Sequence, residues 1–142
     1  MKRILLAMTV MAGWTCAAQP PMRFISHRGE SMDAPENTMA AFRLSRERGV
    51  FGFECDIYMT ADNEIICLHD LTLDRTTDGS GKPDAYTLAE LRKLDAGSWK
   101  NARFAGERIP TLAEALALAQ EGREIYIDIK RGIDIPRLVE VV

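Results

Sequence analysis

From Arg23 onward, short apolar runs alternate with helix-like segments, and this alternation constrains the fold more than any other feature of the sequence. It is the pattern of repeated βα units, in which helices cover both faces of a parallel sheet. Met22 to Ser26 reads as a first strand. A helix follows Pro35-Glu36-Asn37-Thr38, with Asn37 or Thr38 as its cap, Met39, Ala40, Ala41, Phe42 and Leu44 as its apolar residues, and a stop at Gly49. Arg43, Arg46 and Arg48 fall toward the end of that helix, where its dipole favours cations. Gly52 to Met59 and Glu64 to Leu68 read as a second and a third strand, joined by the polar turn Ala61-Asp62-Asn63.

The stretch from about residue 71 to 110 is different. It is rich in Asp, Gly, Thr and Lys, has a flexible turn at Asp78-Gly79-Ser80-Gly81-Lys82-Pro83, and reads as a small insertion after the third strand. Two capping boxes mark helices within and after it: Thr87-Leu88-Ala89-Glu90 opens a short helix through Leu94, and Thr111-Leu112-Ala113-Glu114 opens one that ends at Gly122. Leu112, Ala115, Leu116 and Ala119 form the apolar side of the second. Glu124 to Ile129 alternates as a fourth strand, and Pro136 to Val142 begins another helix. A closed (β/α)8 barrel takes about 250 residues. The expectation is therefore an α/β chain holding roughly the N-terminal half of such a barrel, with a small complete α/β domain as the alternative.

The N-terminus is set aside before fold reasoning. Lys2 and Arg3 precede the apolar run Ile4 to Trp14 and the small residues Cys16, Ala17 and Ala18, which reads as a secretory signal peptide over residues 1–18. The run is well short of the roughly 20 residues that span a bilayer. Export to a periplasm or beyond is the expectation, with no stable membrane span. Lipid attachment at Cys16 is less well supported, because the bulky Trp14 stands where small residues are expected. Residues 22–142 are then the folded domain. Of the three cysteines, Cys55 and Cys67 lie within it. Alternation along their strands predicts thiols on opposite sides of the sheet, each a buried small hydrophobe. The formal charge of −3, with 18 basic residues scattered through the chain, gives no nucleic-acid footprint.

The chain has two histidines, His27 and His69, and each falls just after a strand. In parallel α/β folds the carboxyl ends of the strands carry the site, and Glu54, Asp56 and Asp128 occupy that region of the second and fourth strands. Glu54 and Asp56 share one face of an otherwise apolar strand. Two like charges so placed repel and desolvate each other unless a cation neutralises them or the face is open to solvent. Oxygen ligands favour a hard ion such as Mg2+ or Ca2+; a zinc site using His27 and His69 lacks the usual HxH or HExxH spacing.

His27-Arg28-Gly29, Pro35-Glu36-Asn37-Thr38, Glu54-x-Asp56, and His69-Asp70 with Arg75-Thr76-Thr77 together resemble the signature of glycerophosphodiester phosphodiesterases, over about Phe24 to Lys130. The resemblance implies a TIM barrel, one divalent cation, and hydrolysis of a small-molecule glycerophosphodiester to an alcohol and sn-glycerol 3-phosphate. It places the family's acid-base pair on His27 and His69, its metal carboxylates on Glu54, Asp56 and Asp128, and phosphate contacts on Arg28 and Lys130. One position departs from the pattern. The family usually has Glu where this chain has Asp128, so a side chain one methylene shorter must reach the metal directly or through water.

The rival readings are a catalytically weak barrel that binds a phosphodiester or glycan on the same rim, and a related phospholipase or lyase acting on intact lipids. Intact His27 and His69 argue against the first. The Pro35–Thr38 and Arg75–Thr77 motifs argue against the second.

Overall fold

The computed structural model describes residues 22–118 and 123–142. The signal-peptide reading, and Ala119 and Gly122 in the helix expected from Thr111 to Gly122, fall outside the described residues. Among the described residues, four strands and four α-helices follow one another in the order β1 (Ile25–Ser26), α1 (Met39–Glu47), β2 (Gly52–Met59), β3 (Ile65–Cys67), α2 (Leu88–Leu91), α3 (Leu112–Leu116), β4 (Glu124–Ile129) and α4 (Ile135–Val141). Strand β2 is central. It pairs in parallel with β1 through Ile25↔Gly52 and Ser26↔Phe53, and in parallel with β4 along Gly52↔Glu124 to Ile57↔Ile129.

Strand β3 pairs antiparallel to β2, through Ile57↔Cys67 and Met59↔Ile65, which corrects the expectation of an all-parallel sheet. The cause is local. Residues 60–64 form a turn in which Thr60 N donates to Glu64 O and Asn63, at φ 62°, donates to Thr60 O. So short a connection can only return the chain beside the strand it left, because a parallel neighbour needs a crossover of a dozen or more residues. The parallel strands β1, β2 and β4 thus form the body of the sheet, and β3 is a hairpin arm laid against the end of β2.

The same register overturns the expectation about the cysteines. Cys55 lies on the face of Ile57, Ile57 faces Cys67, and both thiols enter one apolar cluster on the helix side of the sheet. Alternation misled because β3 ends at Cys67, so His69 does not share that residue's face. Both cysteines are free and buried, as expected. Contact with Cys55, together with burial, pushes the Cys67 thiol well above its ordinary value.

Helix α1 forms where the sequence places it. The Thr38 hydroxyl accepts from Ala41 N, and Gly49 leaves the helix at φ 70°, a conformation that glycine adopts without strain. The helix buries Ala41 and Phe42; the Phe42 ring stacks on Phe53 at 4.4 Å between centroids. Leu112 and Ala115 of α3 and Leu138 of α4 complete this layer against Cys55 and Ile57. Burial of each large apolar side chain contributes about 1.5–3 kcal/mol. Both expected capping boxes are present, at Thr87/Glu90 and Thr111/Glu114.

The segment between β3 and α3 builds a second core from Leu73, Leu91, Ala96 and Ile109, closed by Ile66 and Leu68 of the hairpin. The region read from its composition as a small insertion is therefore seated on the hairpin that carries His69. Among the described residues, no helix is long and apolar enough to cross a membrane.

Candidate active site

The alternation of β2 sends Phe53, Cys55 and Ile57 to the helices and Glu54 and Asp56 to the opposite face. Register with β4 then sets Asp128 directly across from Asp56. Carboxylate oxygens of Glu54, Asp56 and Asp128 lie within 4.8 Å of one another, so one ion could touch all three. Asp56 is buried, Glu54 partly buried and Asp128 exposed. Shorter by one methylene than the Glu expected there, Asp128 still joins the cluster, because strand pairing carries its backbone to the site.

The electrostatics fit a cation. Burial raises the Glu54 carboxyl and the Asp56 charge adds to that rise, against a lowering by the Arg28 amide hydrogen bond. The Lys130 ammonium sits between Asp56 Oδ1 at 2.8 Å and Asp128 Oδ2 at 2.6 Å, supplying positive charge at the cluster's edge. Burial works against the Lys130 charge, but the two aspartates raise its pKa; Lys130 in turn holds Asp128 low. The donor set is all oxygen, which suits a hard divalent cation.

His27 leaves the end of β1 with its side chain largely exposed, and its Nε2 stands 3.9 Å from Glu54 Oε2. Arg28 follows at φ 59°, a conformation that costs a non-glycine residue roughly 1–2 kcal/mol. The turn aims the Arg28 amide at Glu54 Oε2, 2.8 Å away, and brings the Arg28 side chain beside Asp56, with Nε 3.5 Å from Oδ2. That Nε is buried and has no hydrogen-bond partner. Gly29 continues the turn at φ 72°, where a Cβ would lie 2.7 Å from the Ala41 Cβ.

His69 arrives by another route. The antiparallel return of β3 leads the chain back along β2, where Leu68 N donates to Asp56 O at 3.0 Å, and His69 comes next. Its Nδ1 lies 2.7 Å from Asp70 Oδ1. The expectation that four strand ends deliver the site is corrected here: parallel strands bring His27, Glu54, Asp56 and Asp128, whereas a hairpin brings His69.

The sequence profile of the glycerophosphoryl diester phosphodiesterase family matches residues 27–138, a span that takes in all of these residues. The chain belongs to this family. A glycerophosphodiester phosphodiesterase from Caldanaerobacter subterraneus is 47% identical over 110 residues, covering 77% of this chain and 45% of that protein. A glycerophosphodiester phosphodiesterase from Agrobacterium tumefaciens, 36% identical, superposes with a TM-score of 0.81 over 86% of this chain and 52% of that one. An Oleispira antarctica phosphodiesterase solved with the product sn-glycerol-3-phosphate is 40% identical, with a TM-score of 0.80 over 84% and 51% of the two chains. The chain spans about half the length of these relatives. The fold of this family member is accordingly part of a (β/α)8 barrel.

Four residues around the site of this glycerophosphoryl diester phosphodiesterase family member have roles that sequence reasoning did not assign. Asn37 is not the helix cap, a place Thr38 takes; its buried amide binds Asp56. Glu36 accepts from Arg28 Nη1 at 2.9 Å and from Arg75 at 2.7 and 2.9 Å. Arg75 also binds Asp70. The only sequence signal for them was their presence in the shared motifs, where a helix start explained Glu36 and Asn37 equally well.

Proposed function

We propose that the protein carrying this chain hydrolyses glycerophosphodiesters to an alcohol and sn-glycerol 3-phosphate, using one divalent cation, Mg2+ or Ca2+. The convergence of Glu54, Asp56 and Asp128, with His27 and Arg28 both against Glu54, carries the reading. The Oleispira relative's bound product supports the substrate class.

A phosphodiester needs its nonbridging oxygens neutralised, water activated, and the alkoxide leaving group protonated. Glu54, Asp56 and Asp128 would hold the cation, which when bound supplies positive charge toward the phosphoryl oxygens. Arg28 stands beside Asp56 Oδ2 and Lys130 beside Asp56 Oδ1, so the two cations flank the central carboxylate; both are assigned to the phosphate. His27 and His69 divide the proton transfers, one taking a proton from the attacking water and the other giving one to the departing alcohol as the P–O bond breaks. We assign residues 1–18 as a signal peptide and the protein as exported, which N-terminal sequencing of the secreted form tests.

The functional test is release of sn-glycerol 3-phosphate by the full-length protein from glycerophosphocholine and glycerophosphoethanolamine, with Mg2+, with Ca2+ and with a chelator. Metal-dependent release is expected. Folded protein that releases nothing under any of these conditions overturns the reading, and a cyclic phosphate product would move it to a lyase.

A further inference from the structure

Arg75 stands outside the metal cluster, on the segment that follows β3, yet it touches carboxylates on two sides. Its Nε donates to Asp70 Oδ2 at 2.6 Å and its Nη2 to Asp70 Oδ1 at 3.0 Å. Its Nη1 and Nη2 donate to Glu36 Oε2 and Oε1 at 2.9 and 2.7 Å. One guanidinium thus forms two bidentate pairs, a geometry the planar fork of arginine allows and the point charge of lysine does not. Each carboxylate continues outward: Asp70 Oδ1 to His69 Nδ1 at 2.7 Å, and Glu36 Oε1 to Arg28 Nη1 at 2.9 Å.

We propose that Arg75 is a positioning residue for the reaction, holding Asp70 as the acceptor that fixes the proton of His69 on Nδ1 and, through Glu36, holding Arg28 toward the phosphate. The inference rests on the hydrolytic reading above and adds the part played by the segment after β3. Its logic is that of acceptors and donors. A carboxylate flanked by a guanidinium stays ionised, and an ionised carboxylate only accepts. His69 must then donate from Nδ1, in its neutral or its charged form, which leaves Nε2 as the nitrogen that exchanges protons with water or the leaving alcohol. The Arg75 hydrogen bonds, opposed by partial burial and helped by His69, hold the Asp70 carboxyl far below the usual carboxylate range. A clasp that only fastened the segment after β3 to the loop after β1 would not need Asp70 to reach the imidazole.

The experiment uses the full-length protein with Arg75→Lys, Asp70→Asn and the double variant. Each is assayed for kcat and KM on glycerophosphocholine and examined by 15N NMR of the His69 ring without substrate. In the wild type the proton is expected on Nδ1. Asp70→Asn, whose amide can also donate, is expected to mix the tautomers, and Arg75→Lys to do so partially. Loss of an outer partner of this kind costs about 10–100-fold, here expected in kcat with KM little changed. The double variant is expected to cost no more than the worse single one, because both break one chain of bonds. Unchanged kcat in Arg75→Lys and Asp70→Asn, a loss confined to thermal stability, or a wild-type proton on Nε2 overturns the positioning role. Failure of the parent reading shows differently, as a wild type that releases no sn-glycerol 3-phosphate while the ring spectra still report the tautomer.

Discussion

Asn37 and Asp56 bind each other twice: Asn37 Nδ2 donates to Asp56 Oδ2 at 2.9 Å, and the Asp56 amide donates to Asn37 Oδ1 at 3.2 Å. Both residues are buried, and Asn37 holds φ 54°, a conformation asparagine tolerates better than most residues. The loop ahead of α1 therefore sets the rotamer of the carboxylate at the centre of the cluster.

Asn37→Ala removes both bonds, strands buried polar groups and places alanine at positive φ. The expected loss is about 2–4 kcal/mol, from the unsatisfied groups and the strained backbone together. Divalent-ion affinity is expected to fall about 10–100-fold. Urea unfolding measures the first and calorimetric titration the second; an unchanged affinity would show that Asp56 is held by strand geometry alone.

At Gly52 the backbone of β4 leaves no room for a side chain on β2. A Cβ there would lie 2.0 Å from Glu124 O. Gly52→Ala must push β4 away and with it Asp128, which register sets across from Asp56. The expected cost is at or beyond about 4 kcal/mol, the range of severe single substitutions. Soluble expression and thermal unfolding read the outcome, and near-normal stability would contradict the close approach of the strands.

The clasp at Arg75 has a pH signature. Burial would raise Glu36, but hydrogen bonds from Arg75 and Arg28 bring it below its ordinary value; Arg75 does the same more strongly to Asp70. Carboxyls depressed in the folded state contribute stability that is present above their unfolded values, near pH 4, and lost as pH falls through the folded values. Wild type is therefore expected to exceed Arg75→Met by about 1 kcal/mol at pH 7, given the partial exposure of the pairs. That margin should shrink progressively below about pH 4. A margin that stays constant down to pH 2 would locate the effect in packing on Trp99, over whose ring the guanidinium lies at 5.8 Å.

A divalent cation should raise the unfolding temperature by binding the folded state alone, and Asp56→Asn should abolish the shift. Carboxylate ligands must be ionised, and Glu54 is raised by burial. Protons thus compete for the site at a higher pH than an ordinary glutamate would allow, and affinity should climb as pH rises through that elevated value. Thermal shift against Mg2+ and Ca2+ over a pH series checks both statements.

His27→Ala and His69→Ala are expected to lower turnover by orders of magnitude while leaving the unfolding temperature near that of the wild type. His27 is largely exposed and His69 packs partly in the open, so neither supports a core. Near-normal turnover in either variant removes that histidine from proton transfer.

Whatever depends on residues within one or two turns of each other was legible in the sequence. The caps at Thr87 and Thr111 bind residues three positions on, β2 shows its two faces by alternation, and Glu54 and Asp56 share one of them by a period of two. Strand-end placement singled out His27, His69 and Asp128, and the βα alternation pointed to half a barrel; the family motifs gave those residues their roles.

Only the tertiary structure decided what depends on pairing between distant segments. Alternation could not say where β3 ends, so the facing of Cys67 was misjudged; the antiparallel direction of β3, by contrast, was implicit in the short turn at residues 60–64. Asn37 lies 19 residues from Asp56, and Arg75 lies 39 from Glu36. A polar side chain at a helix start satisfies local rules whether or not a distant carboxylate waits for it. The choice between cap and clasp is made by backbone pairing in space, because a charge becomes costly to leave unpaired only once the fold has removed its water.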